Sequence, residues 1–313
     1  VTPQEHWALW RSDTRATPFQ SPAWLDAWWT HLGGGDRRDA EIRDPAGRLV
    51  AALPLFVWHD GGVRRLVPVG AGHSDYCDAL VAPGTATEPL WTAILGSAAA
   101  FDEVLLPDLR PDSPLLGPPP AGWSATDTEA EICPVLTLPP GGSPLDGLTR
   151  SQRRKVVHDR HRAERLGGVT EELVTAGRVD GLLDALFALH SSRWAREGQP
   201  GVLADPRVQA FHRAAAPALA EAGLLRMAVV RHEGAVAAVV YGLADGARWY
   251  SYINAVDMRV PGQSFGTLAF ACLIEAAASR GAGEFHFLRG DEPYKARWGA
   301  APRRTIRRIL RRA

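Results

Sequence analysis

Phe285-His-Phe-Leu-Arg-Gly-Asp-Glu-Pro-Tyr-Lys-Ala-Arg-Trp-Gly-Ala300 concentrates more functional-group chemistry than any other stretch of the chain. Phe285 and Phe287 alternate with Glu284 and His286 as in a half-buried strand, which runs out at Arg289-Gly290, where glycine permits a sharp turn. Asp291 then fits a helix N-cap. Glu292 and Pro293 fall in the first turn, where a carboxylate favours the dipole and proline loses nothing by lacking an N–H. Tyr294, Lys295, Arg297 and Trp298 follow on one short helix past the carboxyl end of a strand, the place where open α/β sheets bind ligands.

Working outward, the 313 residues allow one large or two medium domains, and 46% hydrophobic residues supply an ordinary globular core. Cys77, Cys133 and Cys272 are odd in number and far apart, so neither a disulfide framework nor a zinc site is indicated and no metal is expected. No apolar run approaches the roughly 20 residues of a membrane helix. Val1-Thr-Pro-Gln-Glu-His lacks the features of a secretory leader. The expectation is a soluble cytoplasmic protein with no membrane partner. Net charge is zero, but it is unevenly spread: residues 150–165 and 293–313 are strongly basic and the remainder is acidic. Local basic patches attract anionic ligands even on a neutral molecule.

Upstream of the opening stretch, Pro261-Gly-Gln-Ser-Phe-Gly-Thr267 leads into a small-residue apolar helix reaching about Arg280. Before it, Leu224–Arg231, Ala235–Ala244 and Arg248–Val256 read as a strand meander turned at Glu233-Gly234 and Asp245-Gly246. Residues 146–166, 179–197 and 206–222 read as helices, the first strongly basic. Pro139-Pro-Gly-Gly-Ser-Pro144 is the best boundary, so domains are expected at 1–140 and 145–313. In the first, Ser21 caps a Trp-rich helix. Strands are expected at Leu49–Trp58, Arg64–Val69, Tyr76–Val81, 103–107 and Ile132–Leu138, with a helix at 87–100 and a proline-rich loop over 107–122.

Meander, glycine loop, helix, strand, short helix, strand is also the order of the GNAT acyltransferase fold. Gln263-Ser-Phe-Gly266-Thr-Leu268 resembles the GNAT donor-loop pattern, from which Leu268 departs. Phe287–Gly299, Ser74-Asp-Tyr-Cys-Asp-Ala-Leu-Val81 and Leu189-His-Ser-Ser-Arg-Trp194 together resemble the CelD-type branch of that superfamily, which is similar to the FemAB/FemX peptidyltransferases. The resemblance implies an α/β (α+β) chain of tandem GNAT-like domains, with mixed, mainly antiparallel sheets flanked by helices. It implies a degenerate first domain and a donor site in the second.

It further implies transfer of an acyl group from acyl-CoA, with acetyl-CoA the first choice, to an amine or hydroxyl of a small-molecule, saccharide or peptide acceptor. Two alternatives stay open: a FemX-like aminoacyl transferase with tRNA as acyl carrier, and a non-catalytic GNAT-like protein of a polysaccharide pathway. A loop entering a helix presents N–H groups at the positive end of its dipole, so Gln263, Ser264, Phe265, Gly266 and Thr267 are the candidate donor-binding residues. Direct transfer needs a base and a proton donor but no covalent intermediate, and no G-x-S-x-G elbow is present. Base candidates are Glu292, Asp291, Asp75 and Asp78, though capping or turn roles compete for the aspartates; Tyr252 or Tyr294 could protonate the leaving group. Asp75, Tyr76, Arg289, Tyr294, Lys295 and Trp298 are candidate substrate-binding residues. Arg153 and Lys155, with Arg303, Arg304, Arg307 and Arg308, offer an anion-binding surface.

Overall fold

The computed structural model describes residues 1–96, 100–141, 145–177, 179–260 and 264–313. The chain divides into two compact units, residues 1–132 with 304–313, and residues 133–303.

In the first unit, α1 (Pro3–Ser12) is closed by a capping box between Thr2 and Glu5, and α2 (Pro22–Leu32) starts at a Ser21 cap with proline in its first turn. The strands are β1 (Asp36–Arg37), β2 (Ala40–Arg43), β3 (Leu49–Leu53), β4 (Leu55–Asp60), β5 (Val63–Pro68), β6 (Leu80–Val81), β7 (Glu103–Leu109) and β8 (Trp123–Ile132); α3 is Glu88–Leu95. The run expected as one strand over Leu49–Trp58 is two, because Pro54 interrupts the pairing: β3 joins β2 and β6, whereas β4 joins a second sheet. That sheet has the order β1-β4-β5-β7-β15-β8, where β15 is Arg304–Arg312.

The chain's end therefore returns to the first unit. The boundary expected at 139–144 and the assignment of residues 304–313 to the second domain are both corrected. β15 pairs antiparallel with β7 on one side and β8 on the other. Its basic residues meet acids of those strands: Arg311 bonds Glu103 at 2.8 Å, and Arg308 forks onto Asp127 at 2.7 Å. Arg308 is buried and also donates to the carbonyls of Leu115 and Gly117, both at 2.6 Å. Arg308 is thus a strand-pairing group, which corrects the anion-binding role expected of it; Arg304 pairs with Glu129 of β8, Arg303 pairs with Glu284, and Arg307 is exposed.

The second unit contains β9 (Val135–Thr137), α4 (Arg150–Leu166), β10 (Val169–Val174), α5 (Val179–Arg196), α6 (Pro206–Glu221), β11 (Leu225–His232), β12 (Ala235–Ala244), β13 (Arg248–Val256), α7 (Phe265–Ser279), β14 (Glu284–His286) and α8 (Pro293–Arg297). Its sheet runs β10-β11-β12-β13-β14-β9, antiparallel except where β13 and β14 run parallel. The apolar residues of α7 pack on one face of this sheet, with Leu268, Leu273 and Ile274 in a core shared with Val240 and Trp249. Close approach requires Gly242, where a Cβ would meet Leu273 Cδ2 at 2.8 Å. Arg160 pins α4 in place. Its guanidinium forks onto Glu171 of β10 and Glu275 of α7 at 2.7–3.0 Å, a bidentate geometry that also raises its pKa.

Candidate active site

β13 and β14 are paired only from Arg248/Glu284 to Tyr250/His286, while β13 runs on to Val256. Where the ladder stops, a cleft of about 310 Å³ opens within the second unit. β13 contributes Asn254, α7 contributes Gly266, Thr267 and Phe270, and α8 with its approach contributes Glu292, Tyr294, Arg297 and Trp298. α4 adds Gln152 and Lys155, and α5 adds Arg193.

The start of α7 forms one wall. Ser264 is its N-cap residue by position but makes no side-chain cap bond; its hydroxyl instead accepts from the Lys155 ammonium at 3.0 Å. The early N–H groups of a helix lack intrahelical partners, and the dipole makes that end positive. An added ammonium there is unfavourable without an anion. Asp159, one turn along α4, supplies a carboxylate to Lys155 at 2.6 Å. Phe265 is buried in the core beneath, and Gln263 lies outside the described residues.

The opposite wall is the turn into α8. Pro293 begins the helix as expected, but the residue in the cap position is Glu292, and Asp291 is an exposed turn residue. Glu292 makes no side-chain cap bond; its carboxylate lies 2.9 Å from the Lys295 ammonium. Lys295 itself is buried, and it donates to the carbonyls of Leu288 at 3.1 Å, Arg289 at 2.5 Å and Gly290 at 3.1 Å. The substrate-binding role expected for Lys295 is corrected by this burial: its N–H donors are committed to the turn. Arg289, half-buried, enters the turn through its carbonyl. Leu288 has φ +57° and Gly290 φ +106°. A non-glycine residue in that region costs about 1–3 kcal/mol, so the turn holds local strain.

Tyr294 leans on Phe270 and Phe287, and its side chain is hydrogen-bonded to that of Asn254. Burial pushes its phenol pKa up, which keeps the hydroxyl protonated. Trp298 is buried against Phe270 at the cleft floor. Thus Lys155, Gly266, Thr267, Glu292, Tyr294 and Trp298, all expected from sequence, border one cavity.

Other expected residues lie elsewhere. Tyr252 stacks in a ring cluster with His212 and Tyr241 and is not part of the cleft lining. Asp75, Tyr76 and Asp78 are buried in the first unit. Asp78 accepts from Ser113 Oγ and the Ala79 N–H, both at 2.8 Å, and burial raises its pKa to about 6. Those contacts mark a packed turn carboxylate and correct its assignment as a catalytic base. Arg153 pairs with Asp146 at 3.3 Å on the outside of α4. His190 is buried, with Nε2 accepting from Trp194 Nε1 at 2.9 Å. Arg193, Asn254, Gln152 and Phe270 escaped the sequence reading. Arg193 lies within the Leu189–Trp194 motif, so its signal was present; the other three carry none. Among the described residues no cluster of His, Cys, Asp and Glu could hold a metal, and no helix is long and apolar enough to cross a membrane.

Residues 150–296, which run from the start of α4 into α8, match the family model described as an acetyltransferase (GNAT) domain. Among solved structures, FemX superposes with a TM-score of 0.70 at 13% identity, covering 98% of this chain and 96% of that one. A conserved protein from Bacteroides thetaiotaomicron VPI-5482 gives 0.65 at 14%, covering 99% and 98%. L-PGS from Bacillus licheniformis gives 0.59 at 14%, covering 95% and 92%. At such identities the likeness is one of fold. Comparison with curated proteins yields no match.

Proposed function

From a chain that carries an acetyltransferase (GNAT) domain and is by that domain an acyltransferase-type enzyme, we propose a direct transfer of an acyl group from acyl-CoA, acetyl-CoA first, to an amine or hydroxyl of a polar saccharide or peptide acceptor. The observation that carries the reading is the start of α7, where Gly266 and Thr267 face the cleft beside the Lys155 ammonium. Helix dipole and cation together favour a phosphate group there. In the proposed reaction the acceptor's nucleophile attacks the thioester carbonyl carbon while Glu292 takes its proton. The carbon–sulfur bond then breaks, and the departing thiolate takes the proton of Tyr294, which is restored from Glu292 or solvent. Arg193 and Arg297 give the cleft further positive charge for an anionic donor.

Isothermal calorimetry with acetyl-CoA tests this, using the parent and Gly266→Asp. An added Cβ at Gly266 meets Val256 Cγ2 at 3.0 Å, a contact that a small shift relieves, and a carboxylate in a first helical turn suits the dipole. The variant should melt near the parent yet bind at least about tenfold more weakly, a loss of roughly 1.4 kcal/mol or more. Equal affinity would remove the α7 start as the phosphate site and with it the acyl-CoA reading.

A second reading, an acyl group carried on tRNA, is favoured by one feature. Arg150, Arg154, His158, His161 and Arg165 recur every three or four residues along α4, all exposed and opposite the buried Gln152, Val156, Asp159 and Ala163. This line of three arginines and two histidines is about 22 Å long at 1.5 Å per residue, and it is flanked by the exposed Glu164.

A further inference from the structure

The chain is rich in arginine, yet its only two lysines are Lys155 and Lys295. One borders the cleft and the other lies under the turn that forms its far wall. Elsewhere the guanidinium serves, as in the forked pairs of Arg160 and Arg308. A planar fork suits carboxylates; an ammonium suits oxygens that converge on a point. At Lys295 they do converge. Four oxygens surround Nζ at 2.5–3.1 Å: the consecutive carbonyls of Leu288, Arg289 and Gly290, and one carboxylate oxygen of Glu292. Three successive carbonyls can face one point because the positive φ of Leu288 and Gly290 bends the chain around it. A Cβ at Gly290 would also meet the Glu292 carboxylate, so a side chain there would displace it from the ammonium.

We infer that Lys295 is a positioning residue, a built-in cation that gathers the Leu288–Glu292 turn and thereby holds the Glu292 carboxylate at the edge of the cleft. Its side chain is 3% exposed, whereas that of Glu292 is 55% exposed. One end of the carboxylate is thus anchored from below while the rest meets the cleft. Without the cation, three carbonyl dipoles and a carboxylate face each other with nothing between them, so the turn opens and Glu292 is released. Removal of the side chain beyond Cβ leaves a space shaped for a primary alkylammonium ion. The importance of Glu292 rests on the acyltransfer reading; the cation cage does not.

The experiment uses the full chain with Lys295→Ala, Lys295→Met and Lys295→Arg, melted in graded propylammonium chloride, tetramethylammonium chloride or sodium chloride. Propylammonium has the carbons and ammonium that alanine lacks; tetramethylammonium has the charge but no N–H. All three variants should melt several degrees below the parent. Propylammonium should restore most of the loss in Lys295→Ala alone, and the other two salts should not. Acyl transfer by Lys295→Ala should recover over the same propylammonium range, and should fail to recover when Glu292→Gln is added.

The parent offers a test that survives a variant that does not fold. With ¹⁵N-lysine only two side-chain signals are present, and the Lys295 ammonium protons should exchange far more slowly than those of Lys155. Fast exchange at both, parent-like melting of Lys295→Met, or no propylammonium effect on melting would overturn the cage. Restored melting without restored turnover would overturn the positioning role. A parent inactive with every acyl donor would count against the acyltransfer reading, while the melting and exchange measurements still decide the cage.

Discussion

Asp78 shows what a single carboxylate contributes when the fold buries it. Its folded-state pKa of about 6 stands above the usual 3.8, because desolvation outweighs the Ser113 hydrogen bond and the attraction of Arg110 and Arg15. A raised carboxylate binds its proton more tightly in the folded state. The stability it contributes is therefore fully present below about pH 4 and is lost as pH rises through 6. Over that window the loss is on the order of 3 kcal/mol at 1.4 kcal/mol per unit. Asp78→Asn keeps the acceptor for Ser113 and Ala79 and should melt above the parent at neutral pH, with the difference shrinking toward pH 4. Melting curves across that range check it, and a variant below the parent at pH 7 would show the ionised group to be stabilising. Residue types here were legible and their partners were not. Asp291 and Glu292 could each be the helix cap or the cleft carboxylate, and Lys295 could be solvated or buried. A backbone angle at Leu288 decides among them.

At the scale of elements, helices and the meander were readable because periodicity and turn chemistry are local. β8 and β10 were missed for the opposite reason. β8 is largely exposed along Trp123–Ile132, so its polar side chains show no alternation to read. α4 was read as a basic helix, but not which of its charges are spoken for. Arg153 and Lys155 pair with Asp146 and Asp159, whereas the exposed line is Arg150, Arg154, His158, His161 and Arg165. This separates the two donors experimentally. If tRNA is the carrier, affinity falls steeply with salt, and Arg150→Gln/Arg154→Gln/Arg165→Gln should lower the log–log slope by about 2–3, close to one counterion per arginine. With acyl-CoA the slope is shallow and the triple variant leaves it unchanged. Filter binding of tRNA and calorimetry of acetyl-CoA over the same salt series measure both.

For the whole molecule, the feature beyond reach of the sequence was the return of β15. Strand propensity in Thr305-Ile306-Arg-Arg-Ile309-Leu310 is visible, but its partners precede the entire second unit in the sequence, and only matching charges on β7 and β8 hint at them. A chain ending at Arg303 should lose the first unit, since β7 and β8 would forfeit the strand between them, the buried Leu310 and the Arg308 network. Residues 133–303 should keep their own melting transition. Scanning calorimetry with limited proteolysis would show one transition where the parent has both, and a protease-resistant fragment beginning near residue 133. Survival of a folded first unit would mean that β15 only decorates its sheet.

β15 also sets an order of events on the ribosome. Residues 1–132 are made before the second unit, yet their sheet lacks its inner strand until every residue of that unit has been made. At roughly 5–20 residues per second that wait is on the order of ten seconds or more. During it β7 and β8 present open strand edges in the crowded cell, the form of exposure that invites wrong pairing. β7 and β8 are thus made before the second unit and paired by β15 only after it, so the growing chain holds both edges open through that interval.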